Sequence, residues 1–127
     1  EWCKERGCDH AEHGPLSCER RAAEAALLEM HALSAEGVLV RVDGLVVGFG
    51  IGYRVTGALG ALHFEKAFAT IKGLYQYLDR ECARRLFLGK FELVTKESDM
   101  GLPGLAQAKQ SYAPHALTPC YSLSLRP

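Results

Sequence analysis

The chain has 127 residues, 48% of them hydrophobic, and its fifteen Lys and Arg balance fifteen Asp and Glu. That is enough chain for one domain with one core, too little for two ordinary domains, and too apolar for a disordered polymer. The longest mostly apolar stretch, Leu45 to Tyr53, is nine residues with three glycines, against roughly twenty apolar residues for a membrane-spanning helix, and the zero net charge argues against a whole-chain polyanion binder.

The chain opens Glu1-Trp2-Cys3, without Met and without a signal-peptide pattern, and reads as a piece whose first part is missing. Residues 1–16 form an irregular opening segment rich in Cys and His, closed by Gly14-Pro15. A first helix is predicted from Ser17 to Leu33, with Ala23, Ala26, Leu27, Met30 and Leu33 on one apolar stripe. The period then changes to two. Val38, Val40 and Val42 alternate with Leu39, Arg41 and Asp43, and Asp43-Gly44 signals a two-residue hairpin. The return strand, Leu45 to Arg54, places Leu45, Val47, Phe49, Ile51 and Tyr53 on one face and Gly48, Gly50 and Gly52 on the other. Three glycines on one face imply a close approach to the backbone, by a packed helix in preference to a ligand.

A loop at residues 56–60 leads to a third strand at residues 61–66. Strand alternation puts His63 and Glu65 on one face, and Leu62 and Phe64 on the other. A second helix is predicted from Thr70 to Leu86. Its apolar stripe is Ile71, Leu74, Tyr75, Leu78, Cys82 and Leu86, and its other side carries Lys72, Gln76, Arg80 and Arg84. Phe91 to Val94 is expected as a short buried strand. Pro103 suits the first turn of a third helix, residues 103–111, and a last strand is expected from Cys120 to Leu125. The order describes a mixed α+β fold: a mixed sheet flanked by helices. Its third and fourth strands should pair in parallel across the second helix, and a ligand would sit at their carboxyl ends.

Charge is unevenly spread. Residues 66–90 carry six bases against two acids, a segment that could face an anion such as a phosphate group or simply be a solvated helix face. Five cysteines, three of them before residue 20, fit a reducing compartment better than a disulfide scaffold. Cys3, Cys8, His10, His13 and Cys18 tempt a zinc assignment, yet their spacings fit no strong metal pattern, and no metal is expected.

Several strings stand in order along the chain: Phe64-Glu65-Lys66-Ala67, Gly73-Leu74-Tyr75-Gln76, Lys96-Glu97-Ser98-Asp99-Met100-Gly101, Gly104-Leu105, and Ala108-Lys109-Gln110-Ser111-Tyr112 with Pro114. Together they resemble the C-terminal domain of phosphatidylglycerol lysyltransferases and the related bacterial family of unknown function, from about Trp2 to Pro114. The resemblance implies a fold similar to Gcn5-related N-acyltransferases, normally two units in tandem. Residues 17–127 would be the second unit without its opening strand, and the partner unit would lie in the missing N-terminal part. It also implies transfer of an activated acyl or aminoacyl group. The donor would be acyl-CoA or aminoacyl-tRNA, and the acceptor a lipid head group or a small amine. A cytoplasmic place, peripheral to a membrane, goes with it. The sequence departs from the family pattern at Thr95-Lys96 and Ala106-Gln107, and Thr70-Ile71-Lys72-Gly73 keeps only one glycine of an acyl-CoA phosphate loop.

On this resemblance Glu65 is the candidate general base, or the group that orients an attacking amine or hydroxyl. Lys66 points the opposite way on a regular strand, so one of the two should be structural. Lys72, Gly73 and Gln76 could meet a donor phosphate at a helix start. Lys96 is a further candidate for contact with donor or substrate. Glu97 and Asp99 could hold a cationic aminoacyl group or shape a turn. At the end of the third helix Lys109 could neutralise an anion or simply favour the helix C-terminus, Ser111 could contact donor or substrate, and Tyr112 could donate a proton to a leaving group or pack half-buried. The rival to a transferase is a non-catalytic module of the same fold that holds an anionic ligand or a partner chain.

Overall fold

The computed structural model describes residues 15–121 and 123–125, with residues 15–18 described by backbone alone. Cys3, Cys8, His10 and His13 lie outside the described residues, and so does the Cys18 side chain. The elements in order are α1 (Pro15–Leu28), β1 (Glu36–Val42), β2 (Leu45–Arg54), β3 (Leu59–Ala67), α2 (Leu74–Cys82) running into a wide turn (Ala83–Phe87), β4 (Leu93–Thr95) and α3 (Pro103–Gln110). They belong to two compact units, Glu1–Thr95 and Lys96–Pro127.

The first unit is a four-stranded sheet in the order β1-β2-β3-β4, antiparallel except for the parallel pair β3/β4. The hairpin forms where the Asp-Gly pair demands it. Asp43 (φ 49°) and Gly44 (φ 82°) both take the left-handed conformation, and the resulting turn twists with its strands. The parallel pair is joined by α2, as the change of period from two to 3.6 and back implies.

Two bulges change which residues share a face. Val40 pairs with Gly48 and Arg41 with Val46, so Val47 is an extra residue on β2. Ile51 pairs with Phe64 and Gly52 with Leu62, so His63 is extra on β3. A one-residue slip flips every side chain beyond it. Val47 therefore joins Val38, Val40 and Leu62 in the core beneath α2 rather than the Phe49/Ile51 face. Leu62 and Phe64, expected on one face, are on opposite faces. Phe64 packs with Ile51, Ala23 and Ala26 beneath α1.

The glycine face of β2 is where α2 sits, as expected. A Cβ at Gly50 would stand well inside 3.0 Å of the Cys82 Sγ, and one at Gly52 would be 2.5 Å from Phe87 Cζ. Leu74, Leu78, Cys82, Leu86 and Phe87 fill this side, with Leu78 and Cys82 fully buried. The helix ends in a π-type turn. Leu88 N–H donates to Ala83 C=O at 2.9 Å, a loop wide enough to bury both Leu86 and Phe87.

Other expectations need correction. α1 stops at Leu28, and the chain winds on as turns to Ser34. Its Ala face packs on the sheet, but Leu27, Leu28 and Leu33 are exposed, because only the small residues fit close to β2 and β3. α2 begins at Leu74 rather than Thr70, since Gly73 sits at φ 80° and leaves Ile71 outside the helix and exposed. β4 is short and exposed rather than buried, being the sheet edge. Residues 120, 121 and 123–125 form no strand, and Tyr121, Leu123 and Leu125 are exposed. In the second unit, α3 starts with Pro103 in its first turn as expected.

Candidate active site

The geometry centres on where β3 and β4 part. They pair over Leu59↔Leu93, Gly60↔Val94 and Ala61↔Thr95, and the pairing ends there while β3 continues to Ala67. Strands that separate at their carboxyl ends leave a notch in the sheet beside the start of the crossover helix. Glu65 lies on this stretch, half-buried. Phe64 and Lys66 both face α1, so Glu65 between them faces the α2 side. The bulge thus separates His63 from Glu65, contrary to simple alternation. Lys66 points away from Glu65, as expected, and its ammonium pairs with Glu19 of α1. The side chains are 14% and 33% exposed, so the pair is partly desolvated.

At the other side of the notch, Gly73 is the N-cap of α2, with no side-chain cap. The first helical bond runs from Tyr77 N–H to Gly73 C=O at 3.0 Å. Leu74 N–H already donates to Ile71 C=O at 3.2 Å, so the helix start offers an anion fewer amides than an uncommitted first turn would. Lys72 and Gln76 beside them are exposed.

The basic run of α2 contains a feature the sequence reading passed over. Glu81 is 5% exposed and gathers three guanidiniums: Arg85 Nε at 2.9 Å, Arg80 Nη2 at 3.3 Å and Arg84 Nη1 at 3.5 Å. The Arg85 hydrogen bond holds its carboxyl below the ordinary carboxylate value against the opposing effect of burial. The Arg80 bond and the charges of Arg84 and Arg85 add to it. Half of the six-base segment is thus tied to one buried acid. The i+3 and i+4 spacings to Arg84 and Arg85 were the available signal.

In the second unit, residues 96–101 curl tightly. Glu97 (φ 56°), Met100 (φ 55°) and Gly101 (φ 68°) are left-handed. Asp99 Oδ1 accepts from Gly101 N–H and Ser98 Oγ from Met100 N–H, both at 2.9 Å, so Asp99 shapes a turn. Lys109 Nζ donates to the carbonyls of Lys96, Glu97 (3.2 Å) and Ser98 (2.8 Å). Lys96 lies 4.5 Å over the Tyr112 ring, and Ser111 Oγ donates to Ala108 C=O at 2.6 Å. Glu65, Lys66, Lys72, Gly73 and Gln76 thus fall in the first unit, and Lys96, Glu97, Asp99, Lys109, Ser111 and Tyr112 in the second.

A shallow apolar groove of about 420 Å³ also lies between α1 and the sheet, lined by Ala22, Ala26, Ile51, Tyr53, His63 and Phe64 among others. Among the described residues, no group of three or more His, Cys, Asp or Glu could hold a metal ion. None of their helices is long and apolar enough to cross a membrane.

The fold is that of N-acyltransferases. A ribosomal-protein-alanine N-acetyltransferase from Brucella melitensis biovar Abortus superposes with TM-score 0.57 at 23% identity, over 75% of this chain and 74% of its own. The sequence sets the class more narrowly: residues 1–124 match the model of the phosphatidylglycerol lysyltransferase C-terminal family, and the chain belongs to that family. A conserved protein of unknown function from Bacteroides thetaiotaomicron is similar at TM-score 0.82 and 34% identity over 91% of this chain. The chain spans 38% of that protein's length. No curated protein matches the sequence.

Proposed function

We propose that the chain is the C-terminal part of an enzyme that transfers an activated acyl or aminoacyl group to an amine or hydroxyl acceptor. The observation that carries this reading is the parting of β3 and β4 beside the α2 amides, with Glu65 on the parted strand, in a chain of this family. Glu65 takes a proton from the attacking amine or hydroxyl as the new C–N or C–O bond forms. Backbone donors at the notch stabilise the tetrahedral oxyanion. In the second unit, Tyr112 is the candidate proton donor to a leaving group. Lys72, Gly73 and Gln76 meet the donor's anionic part. Lys96, Glu97, Asp99, Lys109 and Ser111 of the second unit are the further donor and substrate contacts, directly or by holding the groups that make them, while Lys66, turned toward α1, is the structural member of the Glu65–Lys66 pair. The donor is acyl-CoA or aminoacyl-tRNA, and the acceptor a lipid head group or small amine, reached from the cytoplasm. Residues 17–127 correspond to one of two tandem repeats of this fold, the other lying elsewhere in the same protein.

Mass spectrometry of the purified full-length protein for co-purifying CoA, tRNA or lipid, followed by transfer assays with the donor found, tests the reading. No bound donor, and no transfer with either donor class, would refute it. The second reading, a non-catalytic module of this fold, draws on one observation. Two of the candidate cations, Lys66 and Lys109, already hold Glu19 and the 96–98 carbonyls. It predicts retained ligand binding with no turnover.

A further inference from the structure

Lys109 stands on the last turn of α3, half-buried, and its ammonium meets three consecutive carbonyls, those of Lys96, Glu97 and Ser98. Consecutive carbonyls of an extended strand point in alternating directions and cannot converge on one cation. They converge here because Glu97 is left-handed at φ 56°, a conformation that a residue with a Cβ rarely adopts. A second non-glycine left-handed residue, Met100, lies three positions on. Strain of this kind persists only where the surroundings impose it. Around Met100 and Gly101 the Ser98 and Asp99 turn bonds hold the backbone, and at residues 96–98 the group that meets it is the Lys109 ammonium. An ammonium carries three donors and no acceptor, which matches three carbonyls. Its position at a helix C-terminus is also favourable for a cation. The Lys96 ammonium over the Tyr112 ring fastens the same loop to the residues after α3 from its other side.

We propose that Lys109 is a positioning residue: through this three-carbonyl cage it holds the curl of residues 96–98, left-handed at Glu97, that sets the Glu97 carboxylate for its part in transfer. The proposal rests on the transferase reading for that last step, while the cage itself does not. Arginine cannot replace it, because a planar guanidinium spreads its donors and cannot aim three of them at one point.

The test uses the full-length protein with Lys109→Ala, Lys109→Met and Lys109→Arg. Lys109→Met keeps the stem and drops the charge, so a folding failure of the alanine variant does not decide the matter. Two quantities are measured: amide hydrogen exchange at residues 97–101, and kcat and KM for transfer. Each is read with and without added n-propylammonium, and with tetramethylammonium as a cation that has no N–H to donate. All three variants are expected to exchange faster at residues 97–101. They should also lose about a hundredfold in kcat at little change in KM, the scale of a displaced positioning group. n-Propylammonium should restore both readouts in Lys109→Ala, and tetramethylammonium neither. Unchanged exchange and unchanged kcat would overturn the proposal. So would a rise in donor KM alone with the loop's exchange unchanged, which would put the ammonium on the substrate. A wild-type protein inactive with every donor would sink the transferase reading, while exchange and its rescue would still decide for or against the cage.

Discussion

Gly50→Ala is the sharpest test of how α2 packs on the sheet. A Cβ there would overlap the Cys82 Sγ, while its next neighbours, Phe64 O at 3.6 Å and Leu62 Cδ1 at 3.7 Å, are ordinary contacts. The conflict is therefore with one atom. Cys82 is fully buried on α2, so the sulfur has nowhere to go unless the helix moves. Overpacking of this kind costs about 1–3 kcal/mol, and the gain from replacing a strand glycine returns about 0.5–1 kcal/mol of it. Cys82→Ala removes the obstructing atom at a cost of about 1 kcal/mol, by analogy with one buried methylene. The double variant should then be about as stable as Cys82→Ala alone, a favourable coupling of about 1–2 kcal/mol between two contacting sites. Urea unfolding of the four proteins reads this from the midpoints if the slopes agree. Strictly additive changes would refute the claim that the glycine exists to let α2 approach.

Leu78→Ala should cost about 2–5 kcal/mol by the same titration, because that side chain is fully buried. Tyr75→Ala should cost less than the ~3–5 kcal/mol of a fully buried aromatic, since Tyr75 is only half-buried. Glu81 titrates below the ordinary 4.5 in the folded chain, so its contribution to stability is present above that value and is lost as pH falls through the lower folded value. Glu81→Gln should accordingly flatten the acid limb of a plot of stability against pH below 4.5, and an unchanged limb would remove the arginine cluster as its cause.

What the sequence made legible was local chemistry. Asp43-Gly44 announces its turn because both residues tolerate positive φ, and Gly50 and Gly52 announce the helix and its closing turn because nothing larger leaves room for Cys82 and Phe87. The parallel crossover follows from the periods of residues 59–95. The bulges at Val47 and His63 had no such sign. An extra residue is visible only against a partner strand, and the error it causes in facing is complete rather than partial. The start of α2 was misplaced because Ile71 continues the apolar stripe, whereas the backbone at Gly73 breaks the helix. The tail misled in the opposite sense. Tyr121, Leu123 and Leu125 alternate as a strand would, but alternation provides a strand only where a neighbouring edge receives it. Among the candidate residues, Glu65 was legible through the family resemblance, and the turn-forming role of Asp99 through its residue type. The tie from Lys66 to Glu19 could not, because the partners are 47 positions apart.

That tie allows Glu65 and Lys66, adjacent in sequence, to be separated by experiment. They sit on opposite faces of β3, Glu65 toward α2 and Lys66 toward α1. A substitution at each should therefore read out in a different quantity. Lys66→Met leaves the Glu19 carboxylate, 33% exposed, beside a side chain that no longer neutralises it. The pair lies between the exposed and buried classes, so the expected loss is about 1–2 kcal/mol. Adding Glu19→Gln should recover much of that loss, since the uncompensated charge is then gone. Glu65→Gln is nearly isosteric and should leave the melting temperature almost unchanged. It should lower transfer by the full protein by about 10²–10⁴, the usual contribution of a general base. Thermal unfolding and transfer rates measured on the same four preparations decide it. Full activity in Glu65→Gln would remove the carboxylate from the mechanism. A large fall in its melting temperature would make it structural, and an activity loss confined to Lys66→Met would reverse the two roles.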